Sequence, residues 1–234
     1  MKLLKPRQEK TDSYIKKLVE KSKLRHIAFI IDGNRRWSKI NKKSYEIGYL
    51  MGSNKLKNCI VNCNNYGIKY ITVYAFSISN LKRPKKEIDT LMEIFISQLR
   101  NVLPDLIKIG VVFKFIGNLL DIPENFRKFF LSIEEKTQNN NGIYLQIAFN
   151  YTSREEITNA VKNIVNKVMS NEIYKDNISE ELITKELYTK NTPDPDLVIR
   201  TSGEKRISNF LLWQISFSEL IFFEENCPIL EERI

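Results

Sequence analysis

Six short apolar runs, rich in β-branched and aromatic residues, constrain this chain more than any other feature. They are "HIAFII" (26–31), "YITVYAF" (70–76), "VVFKFI" (111–116), "IYLQIAF" (143–149), "DLVIR" (196–200) and "ELIFF" (219–223). Runs this short and this apolar read as strands buried on both faces. Between them lie stretches of helical spacing, the clearest being Ile88, Leu91, Met92, Phe95, Leu99, Val102 and Leu103. Steps of three and four place those side chains on one helix face, and Pro84 suits the start of that helix. Further helices are expected after Pro123, Ser153 and Ser208. Alternation of this kind predicts a single α/β domain whose six-stranded, mostly parallel sheet is covered by helices. At 234 residues and 42% apolar composition, one substantial core is within reach.

No internal repeat or low-complexity tract is visible. The stretch "QNNNG" (138–142) reads as a turn, and the polar segment 171–195, ending in "NTPDPD", reads as a surface loop feeding the fifth strand. Residues 1–24 stand apart as a basic arm or short amphipathic helix. Ile15, Leu18 and Val19 among lysines would rest on the body or on a membrane surface, or the arm would be solvated.

The 37 Lys and Arg outnumber the 28 Asp and Glu, leaving +9, which suits nucleic acid, an anionic membrane or phosphorylated metabolites. Charge alone does not choose among them. Three cysteines and a single histidine cannot build the usual four-ligand Cys/His zinc site, and an odd count argues against a disulfide framework. A reducing compartment is expected. No apolar run approaches the roughly 18–20 residues that cross a bilayer, and the N-terminus is too charged for a secretory signal. Cys59 and Cys63, one helical turn apart, read as packing, as do Trp213 and Phe217. His26 precedes the first strand, at the end opposite to the arginines, and receives no catalytic role.

Ligands of parallel sheets bind outside the carboxyl ends of the strands, so those ends are the place to look for chemistry. The first strand ends in Asp32, Gly33, Asn34, Arg35 and Arg36, and the second in Ser77, Ser79, Asn80, Lys82 and Arg83. The fifth ends in "RTSGE" (200–204), with Arg206 and Ser208 close behind. Any one of these arginines could be an ordinary surface ion pair. Three clusters on three carboxyl ends point instead to a diphosphate site: guanidinium forks and hydroxyls match phosphate oxygens, and glycine admits close backbone approach. A carboxylate among so many cations is a natural place for Mg²⁺. Neither a "GxxxxGK[ST]" loop nor a "GxGxxG" turn is present, which argues against P-loop and dinucleotide-binding sites.

The segments "HIAFIIDGNRRWSK", "YAFSISNLKRP", "AFNYTSREEI" and "DLVIRTSGEKRISNFLLWQISFSELIF" together resemble cis-prenyltransferases, the undecaprenyl and dehydrodolichyl diphosphate synthases. The likeness spans about residues 25–224, in order, and "NRRW" and "RTSGE" look closer to the eukaryotic dehydrodolichyl type. It implies a catalytic domain over 25–234 that elongates an allylic diphosphate, farnesyl diphosphate foremost, with isopentenyl diphosphate. The product implied is a long-chain polyprenyl diphosphate for a dolichol-type carrier lipid. Asp32 would be the catalytic acidic residue and Mg²⁺ ligand, with Glu219 a second metal ligand. Gly33, Asn34, Arg35 and Arg36 would cradle the allylic diphosphate, with Trp37 beside them. Arg200, Arg206 and Ser208 would hold the isopentenyl diphosphate. Ser77, Asn80 and Arg83 would lie on a segment ordering over the substrates, Asn80 with a catalytic part. The growing hydrocarbon needs an apolar tunnel, expected between the sheet and the 88–103 helix, where that helix's apolar face could equally be plain core.

Tyr45 and Tyr49 stand where the family usually has an arginine and a histidine, and Ser79 and Leu81 replace an acidic and an aromatic residue. The sequence ends at "NCPILEERI" without the family's Arg-x-Gly tail, so either the sequence is cut short or another subunit supplies the tail, in a homodimer or in a heteromer with a non-catalytic relative. A catalytically silent or partner-dependent subunit of the same fold is the alternative. Peripheral membrane contact, on the cytoplasmic face of the endoplasmic reticulum, fits an otherwise cytoplasmic protein. Nucleic acid, despite the charge and ten tyrosines, is not expected as a partner.

Overall fold

The structure, a computed structural model, describes residues 6–77 and 85–229. All six expected strands form: β1 (His26–Ile30), β2 (Tyr70–Ser77), β3 (Val112–Ile116), β4 (Tyr144–Tyr151), β5 (Leu197–Arg200) and β6 (Glu219–Phe222). They pair in the order β3-β4-β2-β1-β5-β6, and every pair is parallel. Parallel neighbours cannot be joined by hairpins, so the connections cross the sheet faces. The helices described are α1 (Pro6–Ser22), α2 (Asn34–Ile40), α3 (Tyr45–Tyr66), α4 (Lys85–Lys108), α5 (Glu124–Thr137), α6 (Ser153–Met169) and α7 (Glu180–Glu186).

Alternation along the strands divides the core in two. Ile27, Phe29, Ile71, Val73, Phe113, Phe115, Leu145 and Ile147 pack with α3, α4 and α5, while Ala28, Ile30, Tyr74, Ala148 and Val198 pack with Phe210 and Leu211. On the first side Met92, Leu99, Val102 and Leu106 of α4 are buried, as their spacing predicts. An aromatic cluster joins α5 to the sheet there: the Phe130 ring stacks on Phe115 at 4.1 Å and meets Phe149 edge-on at 5.2 Å. Such pairs add about 1 kcal/mol each beyond their buried area.

Three local expectations give way. No helix follows Ser208; turns run on to Ser218 because Ser208, Asn209 and Leu211 take left-handed conformations, which a right-handed helix cannot contain. Phe217 is fully exposed instead of buried, and Trp213 is half-buried, its indole N–H donating to Thr184 Oγ1 at 3.1 Å. The polar segment 171–195 contains α7, capped by Ser179, whose hydroxyl accepts from the Leu182 N–H. The N-terminal arm is helical and lies against α3, where the Tyr66 hydroxyl donates to Asp12 Oδ1 at 2.9 Å. Cys59 and Cys63 are free thiols packed on α3, as expected.

The two sheet edges differ. Along β3, the Phe113 N–H donates to Thr137 Oγ1 at 3.1 Å and the Phe115 N–H to Glu134 Oε1 at 2.7 Å, so α5 caps that edge with side chains. On β6, Glu219, Leu220 and Ile221 are exposed.

Where β1 begins, the "NTPDPD" turn is tied in. The Asp196 carboxylate accepts from the N–H groups of Arg25 (2.7 Å) and His26 (2.9 Å). The buried His26 ring sits 2.6 Å from the Pro193 carbonyl and 2.8 Å from Thr72 Oγ1, and the row continues to Gln146 and Thr192. Burial lowers the His26 pKa from 6.5 to about 4, against the pull of the Pro193 carbonyl and Asp196. An unfolded chain binds this proton more tightly, so stability rises with pH across that window. The contribution is complete above about pH 6.5 and is lost on acidification toward pH 4, amounting to about 3 kcal/mol. In urea unfolding of wild type and His26→Gln across this range, the variant should lack that component; identical pH slopes would refute the role assigned to His26.

Candidate active site

Beyond Ile30 the chain passes through Asp32 and Gly33 into α2. Asp32 is held by backbone on several sides. Its N–H donates to Thr201 Oγ1 (2.9 Å), its carbonyl accepts from the Thr201 hydroxyl (2.7 Å) and the Cys227 N–H (3.1 Å), and its Oδ1 accepts from the Gly33 N–H (2.7 Å). The other carboxylate oxygen, Oδ2, accepts from Arg200 Nη2 at 2.8 Å.

Arg200 closes β5, paired with Ile30, and its side chain is only 4% exposed against 41% for Asp32. A buried guanidinium calls for oxygen partners, because removing it from water costs several kcal/mol. Besides Asp32, its Nη1 donates to Ser208 Oγ (2.7 Å) and to the Arg206 carbonyl, while Nε is buried without a partner. The neighbouring Arg36, on α2, donates through Nη1 to the Ser202 carbonyl (2.7 Å) and hydroxyl (2.6 Å), and through Nη2 to Glu204 Oε1 (2.9 Å). Glu204 also pairs with Arg206, and these two guanidiniums, Arg36 first, hold its pKa below the usual carboxylate value. The arginine sets of β1 and β5 therefore meet at one carboxylate.

Tight packing fixes where α2 sits. Gly33 has φ 95°, and a Cβ there would fall 2.3 Å from Asn226 Oδ1; a Cβ on Gly48 would fall 2.6 Å from the Asn34 carbonyl. Glycine at both places lets α2 lie between α3 and the 226–227 turn.

Asp32, Gly33, Arg36, Arg200, Arg206 and Ser208 are thus brought together. Asn34 lines a neighbouring cavity. Trp37 is buried, and Arg35 turns outward, its guanidinium 5.0 Å from the Tyr45 ring centre. Ser77 lies at the carboxyl end of β2 and bonds to the Tyr74 hydroxyl. Asn80, Arg83, Ser79 and Leu81 lie outside the described residues. Glu219 is not brought to Asp32 within one chain. It opens β6 level with Leu197, three residues before Arg200, which is about 10 Å of strand toward the amino end.

Sequence reasoning gave no role to Glu204 as a bridge, to Asn226, or to Tyr74. The Tyr74 hydroxyl donates to the Tyr151 carbonyl at 3.2 Å beside Arg200, and burial raises its pKa. For Tyr74 the inward-facing alternation of β2 was an available signal; Asn226 offered none.

Among the described residues no group of three or more His, Cys, Asp or Glu could hold a metal by itself. Asp32 is a part-exposed carboxylate amid arginines, the other nearby carboxylate, Glu204, being engaged by Arg36 and Arg206. That donor set fits Mg²⁺ carried in with phosphates, since this ion takes one or two protein carboxylates and completes its octahedron with phosphate oxygens and water.

Beside the charged cluster lies an apolar cavity of about 180 Å³ between α3, α4 and the sheet. It runs from Asn34, Tyr49 and Ala75 down to Leu106, Phe113 and Leu145, where the expected tunnel was placed. Leu91, Phe95, Leu99 and Val102 of α4 line it, so the helix's apolar face serves both core and cavity.

Residues 30–233 match the family described as putative undecaprenyl diphosphate synthase. The chain is 43% identical over 209 residues, 89% of its own length and 84% of the relative's, to a (2E,6E)-farnesyl-diphosphate-specific ditrans,polycis-undecaprenyl-diphosphate synthase from Micrococcus luteus. It is 42% identical over 223 residues, 93% and 84% of the two chains, to a geranylgeranyl-diphosphate-specific tritrans,polycis-undecaprenyl-diphosphate synthase from Pyrococcus furiosus. The crystal structure of lavandulyl diphosphate synthase from Lavandula x intermedia with dimethylallyl diphosphate superposes with TM-score 0.83 at 36% identity, covering 87% of this chain and 88% of that one. These sequence relatives are bacterial and archaeal, which leaves the expected dehydrodolichyl subtype without support.

Gly33→Ala tests the seating of α2. It should lower stability by about 2–3 kcal/mol, a fall in Tm of several degrees, because φ is wrong and the Cβ meets Asn226. Gly67→Ala, with φ 93° and open space around its Cβ, carries the φ cost alone and should lose less. Equal losses in differential scanning calorimetry would remove Asn226 from the account.

Proposed function

The chain belongs to the undecaprenyl diphosphate synthase family of prenyltransferases, and from that premise we propose that it condenses isopentenyl diphosphate onto an allylic diphosphate to make a long-chain polyprenyl diphosphate. One observation carries the reading: a cluster of Asp32, Arg36, Arg200, Arg206 and Ser208 opens beside a deep apolar cavity. A site with a cationic head and an oily interior matches a prenyl diphosphate. Farnesyl diphosphate is the primer favoured here, in keeping with the specificity named for the Micrococcus luteus relative. The bacterial and archaeal relatives lend no weight to a dolichol-type product or to a place on the endoplasmic reticulum. No helix among the described residues is long and apolar enough to cross a membrane.

In this reading the diphosphate leaves C1 of the primer, the homoallylic double bond of isopentenyl diphosphate forms the new carbon–carbon bond there, and a proton is lost. Arg36 and Arg206 exchange the Glu204 carboxylate for diphosphate oxygens, and Arg200 orients Asp32 and holds the second substrate with Ser208. Such preorganised donors stabilise charge where it develops. Mg²⁺, when bound through Asp32, supplies further neutralisation of the departing diphosphate. Gly33, Asn34 and Arg36 shape the allylic side. Arg35, Trp37, Ser77, Asn80 and Arg83 are assigned to the substrate region through family likeness. Glu219 lies apart from the same chain's Asp32, and in this reading phosphates and water would complete the metal's shell.

Purified protein, isopentenyl diphosphate and a series of allylic primers form the direct test, read as pyrophosphate release and as product mass. Turnover should require the metal, cease with EDTA, and fall about 10³-fold or more in Asp32→Ala. A chain inactive alone and active only with a partner would favour the silent or partner-dependent alternative.

We assign a second copy, or a related subunit, to the β6 side. With β3 capped, β6 is the sheet edge whose apolar side chains Leu220 (45%) and Ile221 (42%) are exposed, next to the fully exposed Phe217. Ile221→Asp should reduce the mass measured by sedimentation from two chains to one; an unchanged mass would discard this face as the contact.

A further inference from the structure

Parallel register sets Tyr74 and Arg200 level with each other. Ile30 of β1 pairs with Tyr74 on one side and with Arg200 on the other, so the two side chains start about 10 Å apart on one face of the sheet. The turn after Arg206 lies over that face, where Phe210 and Leu211 close the core, and it meets both side chains at Ser208. Arg200 holds the Ser208 side chain, Nη1 donating to Oγ at 2.7 Å. Tyr74 meets the backbone: its hydroxyl lies 3.5 Å from the Ser208 carbonyl and 3.2 Å from the Tyr151 carbonyl, and Ser77 bonds to the same oxygen.

Packing alone does not call for this hydroxyl. The Tyr74 ring stacks on Phe210 at 4.6 Å and 9°, a contact that phenylalanine would keep. The side chain is 9% exposed, and a hydroxyl taken so far from water is unfavourable unless it is bonded. Ser208, on the other hand, needs anchoring. Its φ of 51° is left-handed, a conformation that persists in such a residue only where the surroundings hold it. The next residue is held by α6, since the Ser153 N–H donates to the Asn209 carbonyl (2.9 Å) and the Arg154 N–H to Asn209 Oδ1 (3.1 Å). Tyr74 is the corresponding anchor for Ser208.

We propose that Tyr74 is a positioning residue for the isopentenyl diphosphate side of the site, its hydroxyl fixing the Ser208 backbone so that the Ser208 hydroxyl is aimed at a diphosphate oxygen. A serine hydroxyl that accepts from Arg200 still has its own proton to give to a phosphate, and the direction of that proton follows the backbone that carries it. The identity of the anion rests on the functional reading. The arrangement of Tyr74, Ser208 and Arg200 does not.

In Tyr74→Phe the KM for isopentenyl diphosphate should rise about tenfold, with kcat and the KM for farnesyl diphosphate within about twofold of wild type and Tm nearly unchanged. Tyr74→Leu should show the same rise and a lower Tm. Ser208→Ala should raise this KM as well, and adding Tyr74→Phe to it should change little further, because a hydroxyl already removed cannot be misplaced. A wild-type KM in Tyr74→Phe, equal rises for both substrates, or additive effects in the double variant overturns the proposal. A rise confined to Tyr74→Leu also overturns it, by reducing Tyr74 to its ring. Calorimetric titration with isopentenyl diphosphate in the absence of primer separates binding from turnover. A protein that binds it, about tenfold more weakly in Tyr74→Phe, yet forms no product keeps Tyr74 in its role and removes the functional reading. Product formation with an unaltered KM in Tyr74→Phe does the reverse.

Discussion

A guanidinium buried to within a few per cent of its surface dictates how this end of the molecule is built. Arg200 finishes β5, and its two terminal nitrogens are given oxygen by Asp32, Ser208 and the Arg206 carbonyl. Meeting that demand forces the chain after β5 to curl back over its own strand end, through left-handed residues at Ser202, Ser208 and Asn209. The curl also brings Arg206 and Glu204 within reach of Arg36 on α2, so two separate crossovers share one polar centre. Without Asp32, the guanidinium would lose its one carboxylate partner and keep only Ser208 Oγ and the Arg206 carbonyl. Chemistry and stability therefore depend on the same pair.

Much of this was readable from the sequence because each signal was local. Short apolar runs alternating with helical spacing specify a parallel sheet, and a parallel sheet specifies where ligands gather; Asp32, Arg36, Arg200, Arg206 and Ser208 follow from those two steps. The face of α4 was legible for the same reason, since its spacing records burial whether the buried neighbour is core or cavity. Family likeness added the roles but not the distances.

What could not be read depended on conformation or on partners far along the chain. The stretch after Ser208 has helical spacing, yet three left-handed residues break it, and they follow from wrapping Arg200. Glu219 was assigned as a ligand through its family segment; the parallel register sets it apart from Asp32 of the same chain, a separation that no local pattern announces. Arg35 follows Asp32 by three residues but is drawn outward to Tyr45. The contact of Asn226 with Gly33 joins positions nearly the whole chain apart, and no pattern in either segment announces it.

The Glu204 carboxylate, set between Arg36 and Arg206, gives the site an internal competitor. On the proposed reading, an arriving anion would gain the two guanidiniums by displacing a carboxylate already bonded to them, and its net affinity would be reduced by that exchange. When a spent anion departs, the carboxylate is at hand to take its place, and the arginines need not be rehydrated first. On that reading the departing group would be held less tightly and the site would empty sooner, which suits repeated cycles on one growing molecule better than tight capture of a single one.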